Sequence, residues 1–188
     1  EWNTPVGEAT ACGGDALMRV AAFEQVGGFD PALIAGEEPE LCVRLRAAGW
    51  SIWRLEAEMT LHDAAMLRFG QWWQRSVRAG HAFAEGAAMH GGTPSRHWVR
   101  EASRAWLWGL GIPLAVLAAL PLIGNWALLG LWVYPLQVLR LARRAGGGRN
   151  QLLQALFLVL GKFPELQGQL KYGWSRLRDR RVQLIEYK

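Results

Sequence analysis

Cysteine is scarce in this chain: Cys12 and Cys42 are the only two, and they form no C-x-x-C pair. No disulfide framework or thiolate metal site can therefore organise the fold, and two buried free thiols suit their apolar, helical contexts. The start, Glu1-Trp2-Asn3-Thr4-Pro5, lacks the basic and apolar regions of a signal peptide. It reads as a cut within a longer protein rather than as the opening of a domain. A phosphate loop is absent too. Gly146-Gly147-Gly148 is not followed by the G-K-[ST] ending such a loop needs, and reads as a flexible joint. The longest absence is of charge: residues 105–139 carry no charged side chain, between Arg104 and Arg140.

What the 188 residues do contain allows one domain with an appendage. Half the chain is apolar and eleven residues are tryptophan, a surplus that suits broad apolar contacts and the membrane–water boundary. The net charge of +5 conceals an asymmetry. Residues 1–63 hold eleven acids against four bases, and residues 140–188 hold eleven bases against three acids. A basic tail directly after a long apolar stretch has anionic lipid head groups as its nearest partner. No recognition motif accompanies the charge, so nucleic acid is not expected as a partner.

Four regions follow from the pattern. Residues 1–63 alternate short strands (9–12, 51–55, 59–61) with short helices (21–26 and one from Pro39 to Gly49), as at the edge of an α/β sheet. Pro39 suits the first helical position, which makes Glu38 the N-cap, and Leu41, Leu45 and Ala48 share one face. Residues 64–104 form a helical connector in which Phe69, Trp72, Trp73 and Phe83 interleave with Arg68, Arg75 and Arg78. The uncharged run is too long for one membrane helix of roughly 20 residues. Pro121, Gly124 and Asn125 divide it, so 105–142 reads as a helical hairpin with both ends on one side, against the alternative of a buried helix pair. Arg140, Arg143, Arg144 and Arg149 place those ends in the cytoplasm by the positive-inside bias. Residues 143–188 read as a basic amphipathic tail on the membrane surface.

The densest chemical signal is Gly36-Glu37-Glu38-Pro39-Glu40. Carboxylates in a first helical turn are stabilised by free N–H groups and the helix dipole, which requires no function. Two adjacent carboxylates also repel, which suits one of them to accept a proton from a substrate hydroxyl. The residues alone leave both readings standing.

The order Gly27-Gly28-Phe29-Asp30, then Gly36-Glu37-Glu38-Pro39-Glu40-Leu41 with Arg44-Leu45 and Gly49-Trp50, closing on Leu61-His62-Asp63, resembles the end of the catalytic domain in family-two glycosyltransferases. The resemblance covers residues 10–63. It implies the C-terminal part of a glycosyltransferase A-type α/β domain, with an all-α membrane hairpin and amphipathic helices after it. It also implies transfer of a sugar from a nucleotide-sugar donor to a lipid-linked or saccharide acceptor, at the cytoplasmic face of a membrane. The family's catalytic base falls on Glu38, with Glu37 beside it holding the acceptor. The family's metal-binding histidine falls on His62, and the Gly-Gly-Asp turn puts Asp15 near the sugar. Such enzymes use a divalent cation, Mg or Mn, bound mainly by an N-terminal half with an Asp-x-Asp motif. This sequence has no Asp-x-Asp, so the chain alone is expected to be the inactive acceptor side of a site whose donor side lies elsewhere.

Gln71-Trp72-Trp73-Gln74-Arg75 is similar to the Gln-x-x-Arg-Trp motif of processive polysaccharide synthases, with the arginine one place late. Arg75 and Arg78 are candidates to hold a diphosphate or lipid phosphate; the competing reading is a helix with an aromatic core face and a basic solvent face. Two other classes compete with the enzyme: a non-catalytic membrane-anchoring or scaffolding module, and a small transport component. The second would need polar groups inside the apolar run, where only Asn125 and Gln137 qualify.

Overall fold

The computed structural model describes residues 5–57 and 66–178. The acidic segment opens with a short strand, β1 (Gly7–Ala9), and closes with another, β2 (Ile52–Arg54). They pair antiparallel, with Glu8 opposite Trp53. Helices α1 (Val20–Gln25) and α2 (Glu37–Ala47) lie between them in sequence. Leu41 and Leu45 of α2 bury themselves against Ala22 of α1, with Met18, Phe23, Val26 and Trp50 around them. The face stops there, because Ala48 is already the C-cap and is exposed. Three hydrogen bonds lock this small layer together. Arg44 donates to the Val26 carbonyl, Trp50 Nε1 donates to Gln25 Oε1 at 2.9 Å, and Ala32 N–H donates to Asp30 Oδ1 at 2.8 Å in the turn after Gly28.

The first strand is shifted from the expected 9–12 to 7–9, since pairing with 52–54 stops at Ala9. Helix α2 begins two residues earlier than expected. Gly36, in the left-handed conformation at φ 82°, occupies the N-cap, Glu37 is the first helical residue, and no side chain caps the helix. Pro39 still fits, because none of the first four N–H groups has an intrahelical acceptor. Glu38 is therefore not the cap. The expected strand at 59–61 lies outside the described residues.

Two long helices form the centre of the remainder: α3 (Phe69–His90) and α8 (Lys162–Leu177). They cross on glycines. A Cβ added at Gly80 would lie 1.9 Å from the Glu165 carbonyl oxygen. One added at Gly168 would lie 2.0 Å from the Val77 oxygen. Backbones can approach this closely only where side chains are missing. Trp73 Nε1 donates to Gln167 Oε1 across the same interface at 2.9 Å. The amphipathic tail expected over 143–188 thus spends one face of α8 on α3, burying Pro164, Leu166, Gly168 and Gln169.

Helix α4 (Val99–Trp106) runs through a wider π turn (Leu107–Gly111) into α5 (Ile112–Ile123). A 3-10 helix (Gly124–Trp132) and α6 (Val133–Arg144) follow. The chain reverses at Gly124, whose φ 60° and ψ −149° suit only glycine. The proof is contact across the bend: Tyr134 donates its hydroxyl to the Trp108 carbonyl, and a Cβ on Gly130 would meet Val116 at 2.9 Å. A straight helix would hold Trp108 and Tyr134 about 39 Å apart. Residues 105–123 reach about 28 Å. The tighter 3-10 winding stretches 124–139 to a similar length, close to the ~30 Å of a bilayer's hydrocarbon core.

Val99–Arg144 is long and apolar enough to cross a membrane, and only 11% of its most apolar stretch is buried. Leu114, Leu117, Leu122, Leu129 and Trp132 all point outward. Helix α7 (Arg149–Leu160) returns along α6 through a cluster of Val138, Ala142, Ala155 and Val159. The joint before it, Gly146-Gly147-Gly148, is left-handed at all three positions.

Candidate functional site

The acidic start of α2 is held from behind by an indole. A Cβ added at Gly36 would lie 2.5 Å from the Trp98 ring, and one at Gly86 of α3 would lie 2.6 Å from the same ring. Trp98 thus fills a slot between two glycines, stacked on His97 at 4.2 Å and edge-on to Phe83. It holds φ 54° to do so, a conformation a bulky residue keeps only where its surroundings dictate it.

The three carboxylates of the first turn have different fates. Glu40 turns inward and is 1% exposed. Arg44 Nε and Nη2 donate to it at 2.9 and 2.7 Å, and His90 Nε2 lies 2.8 Å from its Oε1. Burial pushes the Glu40 carboxyl up, but the hydrogen bonds and charges of Arg44 and His90 outweigh it and hold the group below the ordinary range. Glu37 and Glu38 stay half-buried at the surface. A Cβ on Gly14 would lie 3.7 Å from Glu38 Oε1, so the Gly13-Gly14-Asp15 turn runs beside that carboxylate. Asp15 itself is exposed next to it.

Below Glu38 lie the two thiols, both free. Cys12 Sγ and Cys42 Sγ are 3.4 Å apart. The hydrogen bond from Cys12 brings the Cys42 thiol down to about 7, helped by Arg46 and opposed by burial and by Glu38. The same bond, with burial, raises Cys12.

The structure brings Glu37, Glu38 and the Asp15 turn together. Arg78 joins them indirectly: its Nη2 donates to the Ile34 carbonyl at 2.9 Å, fixing the loop that enters Gly36. Arg75 stands exposed on α3. Within Gln71–Arg75, Gln71 Oε1 accepts the N–H groups of Leu67 and Arg68, and Trp72 packs edge-on to Phe157 of α7. Those residues serve helix start and packing. His62 and Asp63 lie outside the described residues. The resemblance implies a Mg or Mn ion, yet no group of three His, Cys, Asp or Glu able to hold a metal exists among the described residues.

Sequence reasoning missed His90 and Trp98, which position α2 from 50 and 62 residues away. The Glu40–Arg44 pair was readable from its i,i+4 spacing; its partner His90 carried no local signal.

One curated protein is similar over a short stretch. Succinoglycan biosynthesis protein ExoA of Rhizobium meliloti (strain 1021) is 46% identical over 48 residues, covering 26% of this chain and 14% of that protein. No protein-family model matches the chain, and no solved structure matches it.

Proposed function

We propose that this chain is the acceptor-side part of a membrane-bound glycosyltransferase of polysaccharide synthesis, moving a sugar from a nucleotide-sugar donor to a lipid-linked or saccharide acceptor. The observation that carries the reading is the start of α2. Glu37 and Glu38 stand at a helix N-terminus, backed by Trp98 and by the Glu40–Arg44–His90 network, within the segment whose order of motifs resembles family-two enzymes. Similarity to a succinoglycan biosynthesis protein supports the same class.

Glu38 takes the acceptor hydroxyl's proton as that oxygen attacks the anomeric carbon; the bond to the nucleoside diphosphate breaks and its electron pair leaves with the phosphate. Glu37, one residue earlier on the helix, orients the acceptor. With capping excluded by Gly36, Glu38 is released from a purely local duty. Val6, Trp53 and Leu55 are all more than half exposed along the two-stranded sheet. An apolar surface of that kind suits coverage by the donor-binding half. The outward-facing leucines of the hairpin suit lipid.

The test uses membranes containing the full-length protein and a panel of radiolabelled nucleotide sugars. Label should move into the lipid-linked or polymer fraction. No incorporation from any donor, with the protein folded and membrane-bound, removes the enzyme reading in favour of an anchoring module.

A further inference from the structure

Three arginines line one groove along α4 and the turn before it. Arg96, Arg100 and Arg104 form one row, and Val99, Ser103 and Leu107 the row beside it, around an open cavity of about 470 Å³. Arg100 and Arg104 lie one turn apart on α4, and Arg96 joins them from the turn before the helix, so the groove has a cationic wall and a small, largely apolar wall. All three arginines are exposed. None forms an ion pair with a carboxylate among the described residues.

Its position along the chain is as informative as its lining. Arg104 is the last charge before the uncharged residues 105–139, and Leu107 opens the π turn that enters the hairpin. The groove therefore straddles the level at which the surface changes from charged to apolar. Helix α4 is eight residues long, about 12 Å, enough to cross the polar layer of roughly 5–8 Å on one side of a bilayer's core. Guanidinium groups match phosphate oxygens by paired N–H donors, and a row of them at that level repels one another unless an anion sits between.

We propose that this groove binds the phosphate of an anionic membrane lipid, with the arginines on the head group and Leu107 at the start of the acyl region. The turn that delivers Arg96 (φ 44°) also delivers Trp98 (φ 54°), whose ring backs Gly36 at the start of α2. The lipid thereby fixes the acidic site at head-group height. The inference rests on the hairpin's membrane placement and not on sugar transfer.

The experiment is native mass spectrometry of the full-length protein in detergent, titrated with phosphatidylglycerol and, separately, phosphatidylcholine. Wild type should retain phosphatidylglycerol in preference. At roughly 1 kcal/mol per interfacial arginine, Arg100→Gln/Arg104→Gln should lower that preference about tenfold to thirtyfold. Arg143→Gln/Arg144→Gln, equal in charge removed but at the end of α6, should change it little. No loss in the first variant, or the same loss in both, overturns the groove. Displacement of the lipid by millimolar pyrophosphate would assign the site to a free diphosphate and overturn the lipid assignment. Carbonate extraction of the same proteins separates the two claims: wild type retained in the membrane without lipid preference sinks the groove alone, whereas wild type released by carbonate sinks the membrane placement too.

Discussion

His90 Nε2 lies 2.8 Å from Glu40 Oε1, so the last residue of α3 is bonded to the helix that carries the acidic site. With Arg44 donating to both carboxylate oxygens, Glu40 joins the sheet-bearing segment to the helical one.

Glu40→Ala should therefore destabilise the protein by roughly 2–4 kcal/mol, as losing one partner of a buried ion pair does when the others keep some solvent. Chemical denaturation read by circular dichroism measures it. A cycle of Glu40→Gln and His90→Gln should give a coupling of about 0.5–3 kcal/mol. Additive effects would mean the bond contributes nothing.

The α3–α8 crossing gives a prediction whose sign depends on position. Gly168→Ala puts a methyl 2.0 Å from the Val77 oxygen and should cost at least 1–3 kcal/mol. Gly173→Ala, five residues on in the same helix with nothing within 4 Å of the added carbon, should stabilise by about 0.5–1 kcal/mol. Equal effects would refute the close approach.

How legible was this in the sequence? The bend was, because Pro121, Gly124 and Asn125 interrupt the uncharged run where the chain reverses. Helix α2 was legible in kind but misplaced by two residues. Pro39 is tolerated anywhere in the first turn, and the left-handed Gly36 that starts the helix is held there by a tryptophan 62 residues away. The pairing of Gly80 with Glu165 and of Gly168 with Val77 left no trace, since a lone glycine looks the same facing a helix or facing solvent. Glu37 and Glu38 were visible as a pair, and the Gly13-Gly14-Asp15 turn entered by resemblance; the Cys12–Cys42 contact of 3.4 Å next to that turn had no signal in the sequence.

Acidification should loosen the bundle. His81 lies buried on α3 facing Glu85 and Tyr172. His97 is half-buried between His90 and Trp98, its Nε2 shielded from solvent, with Glu101 and Glu40 near. Burial lowers both below the ordinary histidine value, and for His97 the charge of His90 adds to it. The unfolded chain binds those protons first, so stability falls as pH drops below about 6.5. Glu40 adds a further loss below about 4.3, as pH falls through its lowered value. Glu85 and Glu165, raised by burial, act in the opposite sense. The clean measurement is therefore a difference: His97→Asn should flatten the melting temperature between pH 7.5 and 5.5 relative to wild type. An unchanged slope would contradict the burial of His97.

Cysteines introduced at Ser103 and Arg144, in a Cys12→Ser/Cys42→Ser background, should react with an impermeant maleimide from the same side of sealed vesicles. The hairpin's geometry requires it, because the chain reverses at Gly124 and Trp108 meets Tyr134. Labelling from opposite sides would mean that 105–142 crosses once.

The last prediction concerns the base. In the full-length enzyme, Glu38→Gln keeps size and hydrogen bonding but cannot accept a proton. General-base contributions are typically 10²–10⁴-fold, so the transfer rate should fall by about that much while donor affinity holds. Gly36, not Glu38, starts the helix, and no side chain caps it. The substitution should therefore leave stability within about 0.5 kcal/mol of wild type, which separates lost chemistry from lost folding. Glu38→Asp keeps the carboxylate on an arm one methylene shorter and should retain much of the rate. Glu40→Gln gives a contrast, since it damages stability through Arg44 and His90. A Glu38→Gln enzyme that turns over within a few-fold of wild type would move the base to Glu37, whose carboxylate shares the same first turn.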